Sequence, residues 1–284
     1  MQDDASRVDS PVIQARFQLK SERELALMRR AGLLVWQAHQ LAARLVRPGV
    51  TTAELDAAID GYFARTGAIP LFKGVPGPYP FPAATCISVN EEVVHGIPGE
   101  RVLRAGDIVS IDTGCKFQGW CGDSAYTHAV GEVRPQAQKL LDATRGVLEL
   151  AIERMATAKK WSEVAAAMES YISERGLGMV EQMVGHGIGR EMHEDPQVPH
   201  YVSPEWLKNS DFPLKPGLVL AVEPMVNAGG WAVRRLGDQW TFATSDGSLS
   251  AHFEHSIAVV RGGVRVLTAP PANDEERAFL AQFE

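Results

Sequence analysis

The chain has 284 residues, 45% of them hydrophobic and 22% charged, with a formal net charge of −7. That composition supplies a sizeable globular core, and the acidic balance argues against a protein that grips nucleic acid through a basic surface. No apolar run approaches the roughly 18–20 residues of a membrane span, and Met1–Gln14 lacks the basic and apolar stretches of a signal peptide. Residues 1–16 read as a flexible arm and 17–284 as a single domain.

Leu25, Met28, Leu33, Trp36, Leu41 and Leu45 recur near helical spacing, predicting a helix over 21–47 that Pro48-Gly49 stops. Thr51-x-x-Glu54 is a capping-box pattern opening a second helix that ends near Gly67. The loop over 69–82 is rich in Pro and Gly and carries Phe72, Tyr79 and Phe81; it reads equally as a rigid surface connection or a pocket wall. Strands follow from Cys86 to about Ala129, with His95-Gly-Ile-Pro98 in a turn. Two more helices are expected over 136–156 and 162–175, and strands again from Gly178, with hairpin turns at Gly237-Asp238 and Asp246-Gly247. Helices then strands, twice over, indicate an α+β (α/β-layered) domain with internal pseudo-two-fold symmetry.

Two phrases repeat. His-Gly-Ile-x-x-Glu occurs at 95–100 and 186–191, and Leu-(Arg/Lys)-x-Gly at 103–106 and 214–217, each copy of the latter followed six residues after its glycine by an acid, Asp112 or Glu223. Such a repeat suggests two related halves sharing one site. In a hairpin turning at Gln118-Gly119, Asp112 faces Ala125 and Asp123 is its diagonal neighbour, so both acids share a sheet face. Glu223 ends one apolar strand and Glu254 stands near the start of another, while His186 sits between glycines where the backbone can approach a ligand closely. Acids on an apolar face are costly unless neutralised. The competing structural reading is an ion-pair network with Arg234 and Arg235, which lie in a segment of their own. Four carboxylates balance two divalent cations, and one imidazole completes an oxygen-rich shell suited to Mn, Fe, Co or Zn in a dinuclear hydrolytic centre. The three cysteines, Cys86, Cys115 and Cys121, form no CxxC pair, and the last two fall on opposite hairpin faces, so reduced thiols and a cytoplasmic address are expected.

Val94–Pro98, Gly106–Asp112, Gly122–Ser124, Gly185–Arg190, His193–Gln197, Val222–Gly229 and Phe253–His255 together resemble type I methionine aminopeptidases, over roughly residues 19–266. The resemblance implies the pita-bread fold, a curved antiparallel sheet covered by two pairs of helices. It implies removal of the initiator methionine from peptides and nascent proteins with a small second residue, a hydroxide held between two divalent ions attacking the first peptide carbonyl. Asp112, Asp123, His186, Glu223 and Glu254 would be the metal ligands, Asp123 and Glu254 bridging. Glu223 would also take a proton from the attacking water, His193 would stabilise the oxyanion, and His95 would contact the substrate near the scissile amide. Phe81, Cys86, Met192 and Trp240 would wall the methionine pocket, although Trp240 also reads as core packing and His95, taken alone, as a solvated turn residue. Met192 stands where bacterial relatives often carry Phe, and His252 where they often carry Gln. A monomer is expected, with ribosome contact and nascent-chain N-termini as the implied partners, and with neither nucleic-acid specificity nor membrane attachment.

Xaa-Pro aminopeptidases and dipeptidases of the same fold would use the same ligands. They usually carry a large N-terminal domain, whereas about 85 residues precede the strand core here. The type II methionine enzymes carry a helical insertion between His193 and Glu223, a stretch of only 29 residues (194 to 222) in this chain. A non-catalytic binding module is a further alternative, disfavoured because all five ligand positions are filled.

Overall fold

Each of the first two helices begins where its side chains can satisfy the free N–H groups of a first turn. Ser21 and Glu24 close a capping box that opens α1 (Glu22–Leu45). Thr51 and Glu54 do the same for α2 (Thr52–Thr66), which Gly67 ends at φ 71 in the left-handed region. The computed structural model describes residues 17–283, so the arm expected over 1–16 lies outside the described residues. The remaining elements of the first half are β1 (Ile69–Pro70), β2 (Thr85–Val89), β3 (Glu92–Val94), β4 (Ile108–Phe117) and β5 (Trp120–Ala129). The second half runs α3 (Pro135–Met155), α4 (Trp161–Ser173), β6 (Gly178–Met179), β7 (Gly185–Gly187), β8 (Glu194–Val198) and α5 (Pro204–Asn209). It continues through β9 (Val219–Val222), β10 (Met225–Asn227), β11 (Val233–Arg235), β12 (Phe242–Thr244), β13 (Ser250–His252), β14 (His255–Val260) and β15 (Gly263–Val266) to α6 (Asp274–Leu280).

Every strand pair among the described residues is antiparallel. Hydrogen bonding divides the strands into four sheets: β1-β4-β2 with β5 on β4, β15-β14-β9-β7-β8, β13-β10-β6, and β11-β12-β3. The helices segregate in pairs. Leu33, Leu34, Leu55, Ile59 and Phe63 of α1 and α2 pack on Ile87, Val109 and Ile111 of the first sheet. Leu140, Val147, Val164 and Met168 of α3 and α4 pack on Leu220, Val222, Ile257 and Val259 of the second. Each fully buried Leu, Ile or Phe contributes roughly 1.5–3 kcal/mol, so the two clusters anchor the strand ends that carry the acids. Among the described residues, no helix is long and apolar enough to cross a membrane.

The pseudo-symmetry is visible in matched backbone contacts. Gly106 (φ 95) donates to Val130 at the end of β5, and Gly217 (φ 96) donates to Val259 near the end of β14. Isolated bridges join Thr51 to Val102 and Lys160 to Pro213, one before α2 and one before α4. The other repeated phrase is not structurally equivalent. His95 lies in a loop at φ 60, whereas His186 lies within β7, and the phrase's final Glu191 is exposed and paired with Lys116. One hairpin expectation is corrected too: Asp246-Gly247 joins β12 to β13, which pair with different partners, because Ser250 and Asn227 are held together in a separate sheet. The turn at Gly237-Asp238 does close a β11–β12 hairpin, through a longer loop bridged by Leu236 N–H to Thr241 O.

Candidate metal centre

The β4–β5 register places Asp112 opposite Ala125 and Asp123 opposite Gly114, so the two acids share a face one step apart. Gln118 (φ 51) and Gly119 (φ 81) make the turn. Gly114 is required there, because a Cβ on it would stand 2.7 Å from Oδ1 of Asp123. The second half joins at this point. Glu254 N–H donates to Ala125 O at 2.9 Å, and Ser124 Oγ–H to Glu254 O at 2.9 Å. Ser256 Oγ lies 3.0 Å from Asp123 N and 2.8 Å from Asp123 O. Asp123 and Glu254 are thus held by one strip of backbone, and Glu223 enters from the end of β9.

His186 projects from β7. Its Nδ1 lies 2.9 Å from Gly187 O, which only accepts, so Nδ1 carries the proton and Nε2 presents its lone pair. That Nε2 lies 3.5 Å from Oε1 of Glu223, and ligand atoms of Asp123, His186 and Glu254 all fall within 4.8 Å of one another. The flanking glycines serve a different purpose from the one their spacing suggested. A Cβ on Gly185 would collide with Ala221 O and one on Gly187 with Asp195 O, so they admit the neighbouring strands rather than a ligand.

The electrostatics call for positive charge. Asp123 and Glu254 are 3% and 2% exposed. Burial pushes Asp123 up to about 7. Burial, with the Asp123 carboxylate adding, drives Asp112, Glu223 and Glu254 well above the usual carboxylate range. Among the described residues no Lys or Arg pairs with any of the four, and Arg234 and Arg235 are exposed on β11. Asp112 Oδ1 and Glu254 Oε1 are buried without a hydrogen-bond partner. Orphaned, crowded carboxylate oxygens beside an imidazole lone pair are the donor set of a divalent-cation site.

All eleven residues singled out in the sequence line one cavity of about 650 Å³: Asp112, Asp123, His186, Glu223, Glu254, His95, His193, Phe81, Cys86, Met192 and Trp240. Beside the acids, Phe72, Phe81 and Cys86 form an apolar cluster with Met192 and Trp240, Cys86 standing opposite Asp112 across the β2–β4 pair, so the loop over 69–82 is a pocket wall. Trp240 packs edge-on against Phe81 at 5.2 Å. The His193 ring stands 4.4 Å from that of His186, and burial with the nearby His193 holds His95 down at about 4. Lys20 and Glu194 form a part-buried 2.6 Å ion pair, and Glu194 also accepts from Arg190 N–H, which anchors the segment beside His193.

The sequence alone assigns no supporting role to the three histidines that surround these ligands. His200 Nε2 accepts from Glu223 N–H at 3.2 Å, and His252 Nε2 is 3.8 Å from Glu223 Oε2. His39, on the buried face of α1, donates to Ser124 O at 2.8 Å. A histidine amid apolar helix positions was the available signal for His39; His200 falls in no motif. All three cysteines are free and buried.

Residues 26–261 match the model of metallopeptidase family M24. The chain is 45% identical over 249 residues to methionine aminopeptidase 1 of Bacillus subtilis, covering 88% of this chain and 98% of that one. It superposes on the crystal structure of a methionine aminopeptidase from Thermotoga maritima with a TM-score of 0.83 and 39% identity, over 88% of this chain and 98% of that one. The prolidase of Pyrococcus horikoshii shares the fold, with a TM-score of 0.71 at 22% identity, but this chain spans only 64% of its length. The α+β pita-bread architecture expected from the sequence is the one these structures share.

Proposed function

The chain belongs to metallopeptidase family M24, and from that membership we propose that it removes methionine from the N-termini of peptides and nascent proteins with two divalent cations. The observation that carries this reading is the convergence of Asp123, His186 and Glu254 in a cavity that is also lined by an apolar cluster. Asp123 and Glu254, at the seam of the two halves, would hold both cations, Asp112 one of them, and His186 with Glu223 the other. When bound, the cations offset the four negative charges, polarise the scissile carbonyl and make water acidic enough to serve as a nucleophile near neutral pH.

The chain's own residues do the rest. Glu223 receives the proton of the attacking water, its carboxylate facing His186 Nε2 on one oxygen and His252 Nε2 on the other. His193, beside His186, donates to the oxygen on which negative charge develops. His95, held at positive φ where its loop turns into the cavity, contacts the substrate beyond the scissile bond. Phe81, Cys86, Met192 and Trp240 exclude water from the methionine side chain, whose unbranched thioether suits an aromatic, sulfur-containing wall. A cytoplasmic address is supported by the three free, buried thiols, which suit a reducing compartment. Ribosome contact rests on the family resemblance, and a monomer on the lack of a long exposed apolar helix in the sequence. The test is hydrolysis of Met-Ala-Ser and of an Xaa-Pro peptide by protein loaded in turn with manganese, iron, cobalt and zinc, products read by mass spectrometry. Loss of a single Met is expected; faster turnover of the Xaa-Pro peptide overturns the reading.

A further inference from the structure

Two loops meet over the apolar end of the cavity. One covers residues 72–82 and is self-contained: Gly74 N–H donates to Phe81 O, Phe81 N–H to Val75 O, and Val75 N–H to Phe72 O. The other joins β11 to β12 and presents Trp240. Asp238 organises it, its Oδ1 accepting from the N–H of Trp240 at 3.0 Å and of Thr241 at 2.9 Å. Among the described residues, one hydrogen bond joins the loops: Tyr79 Oη–H donates to Asp238 O at 2.8 Å. Asp238 therefore couples them, holding Trp240 through its carboxylate and Tyr79 through its carbonyl. The ring of Tyr79 meets that of Trp240 edge-on at 6.2 Å. Gly77 lies so close to the indole that a Cβ there would overlap Cζ2 and Cη2 of Trp240. Trp240 is thus confined by Gly77, Tyr79 and Phe81.

We propose that Tyr79 and Gly77 are specificity-determining residues: together they latch the two loops and hold the Trp240 indole against Phe81. The latch keeps the apolar end narrow enough for an unbranched side chain and closed to branched or aromatic ones. Tyr79 is 42% exposed and sits at a loop tip, so its hydroxyl contributes little to the core. Its effect acts through the confinement of Trp240. This rests on the proposed methionine specificity, and the experiment separates the two.

The metal-loaded full chain, Tyr79→Phe and Gly77→Ala are compared on Met-Ala-Ser, norleucine-Ala-Ser, Leu-Ala-Ser and Phe-Ala-Ser. Tyr79→Phe is expected to leave kcat for the Met and norleucine peptides within twofold. It is expected to lower the Met/Leu and Met/Phe ratios of kcat/KM by threefold or more, through KM. Gly77→Ala is expected to do the same by pushing the indole aside. A smaller change in Tyr79→Phe overturns the latch, and a smaller change in Gly77→Ala overturns the packing role of Gly77. Calorimetric binding of free methionine and leucine reads the same pocket without turnover. A wild type that prefers methionine over leucine but does not cleave Met-Ala-Ser refutes the proposed reaction, while loss of that preference in Tyr79→Phe still upholds the latch. Equal preference in wild type and Tyr79→Phe refutes the latch whatever the peptide result.

Discussion

Removing one buried charge from the metal centre should stabilise the metal-free protein while abolishing its function. Asp123 is 3% exposed, and burial lifts its carboxyl from 3.8 to about 7. Between those values the unfolded chain has lost the proton that the folded chain still holds. Stability therefore falls as pH rises through that window, and the penalty is complete above pH 7. Three pK units correspond to on the order of 4 kcal/mol. Asp123→Asn keeps shape and keeps an oxygen to accept Ser124 N–H, which now lies 3.0 Å from Oδ1. In chelating buffer at pH 8 the variant should melt higher than wild type, by roughly 10 °C at about 2–4 °C per kcal/mol. Added manganese should reverse the order: two cations, each at 100 times its Kd, stabilise wild type by about 5.4 kcal/mol, more than the roughly 4 kcal/mol lead, and the variant, lacking the bridging charge, should gain little and show no peptidase activity. The assay is differential scanning calorimetry with and without metal at pH 4 and pH 8; near pH 4, the low end of that window, the chelated proteins should converge. If the chelated variant melted below wild type at pH 8, or gained as much from manganese, the charge-crowding account would be wrong.

Three further outcomes follow from named contacts. His193→Ala should lower kcat by roughly 10²–10³-fold, as for loss of an oxyanion donor, with metal stoichiometry by atomic emission unchanged; a variant within tenfold of wild type removes His193 from that role. Gly114→Ala puts a methyl 2.7 Å from Asp123 Oδ1, and should weaken metal binding by calorimetry far more than it lowers the melting temperature of the chelated protein; unaltered affinity would contradict the close approach. His39 is buried, and burial holds its imidazole down at about 4 against an ordinary 6.5. Its contribution is complete above pH 6.5 and is lost as pH falls toward 4, because the unfolded chain gains the proton first; the span is on the order of 3 kcal/mol. His39→Gln should flatten the fall of melting temperature over that range in chelating buffer, and an unchanged slope would rule His39 out as a source of the acid sensitivity.

Much of the fold could be read from local pattern. The Ser21/Glu24 and Thr51/Glu54 boxes act over three residues, and Gly67 supplies the left-handed cap that any helix can use. The Gln118-Gly119 turn fixes which residues face each other, so Asp112 and Asp123 share a face irrespective of how the hairpin packs. Other local readings misled. Gly185 and Gly187 look like a ligand cradle in the sequence, yet Ala221 O and Asp195 O from adjacent strands occupy the space. Asp246-Gly247 carries a hairpin dipeptide, but the strands it joins belong to different sheets, since turn chemistry favours a reversal without choosing partners.

Local pattern was enough for the four long helices, the β4–β5 register and the chemical identity of the acids, because those depend on spacing of a few residues and on side-chain type. Long-range packing alone sets Asp123 beside Ser256, 133 residues away, and brings Glu254 to the same point. It also decides that His200 backs Glu223, and that Tyr79 reaches Asp238 across 159 residues. Those contacts follow from how two helix-covered halves dock, which is settled by the summed burial of both cores rather than by any short stretch of chain.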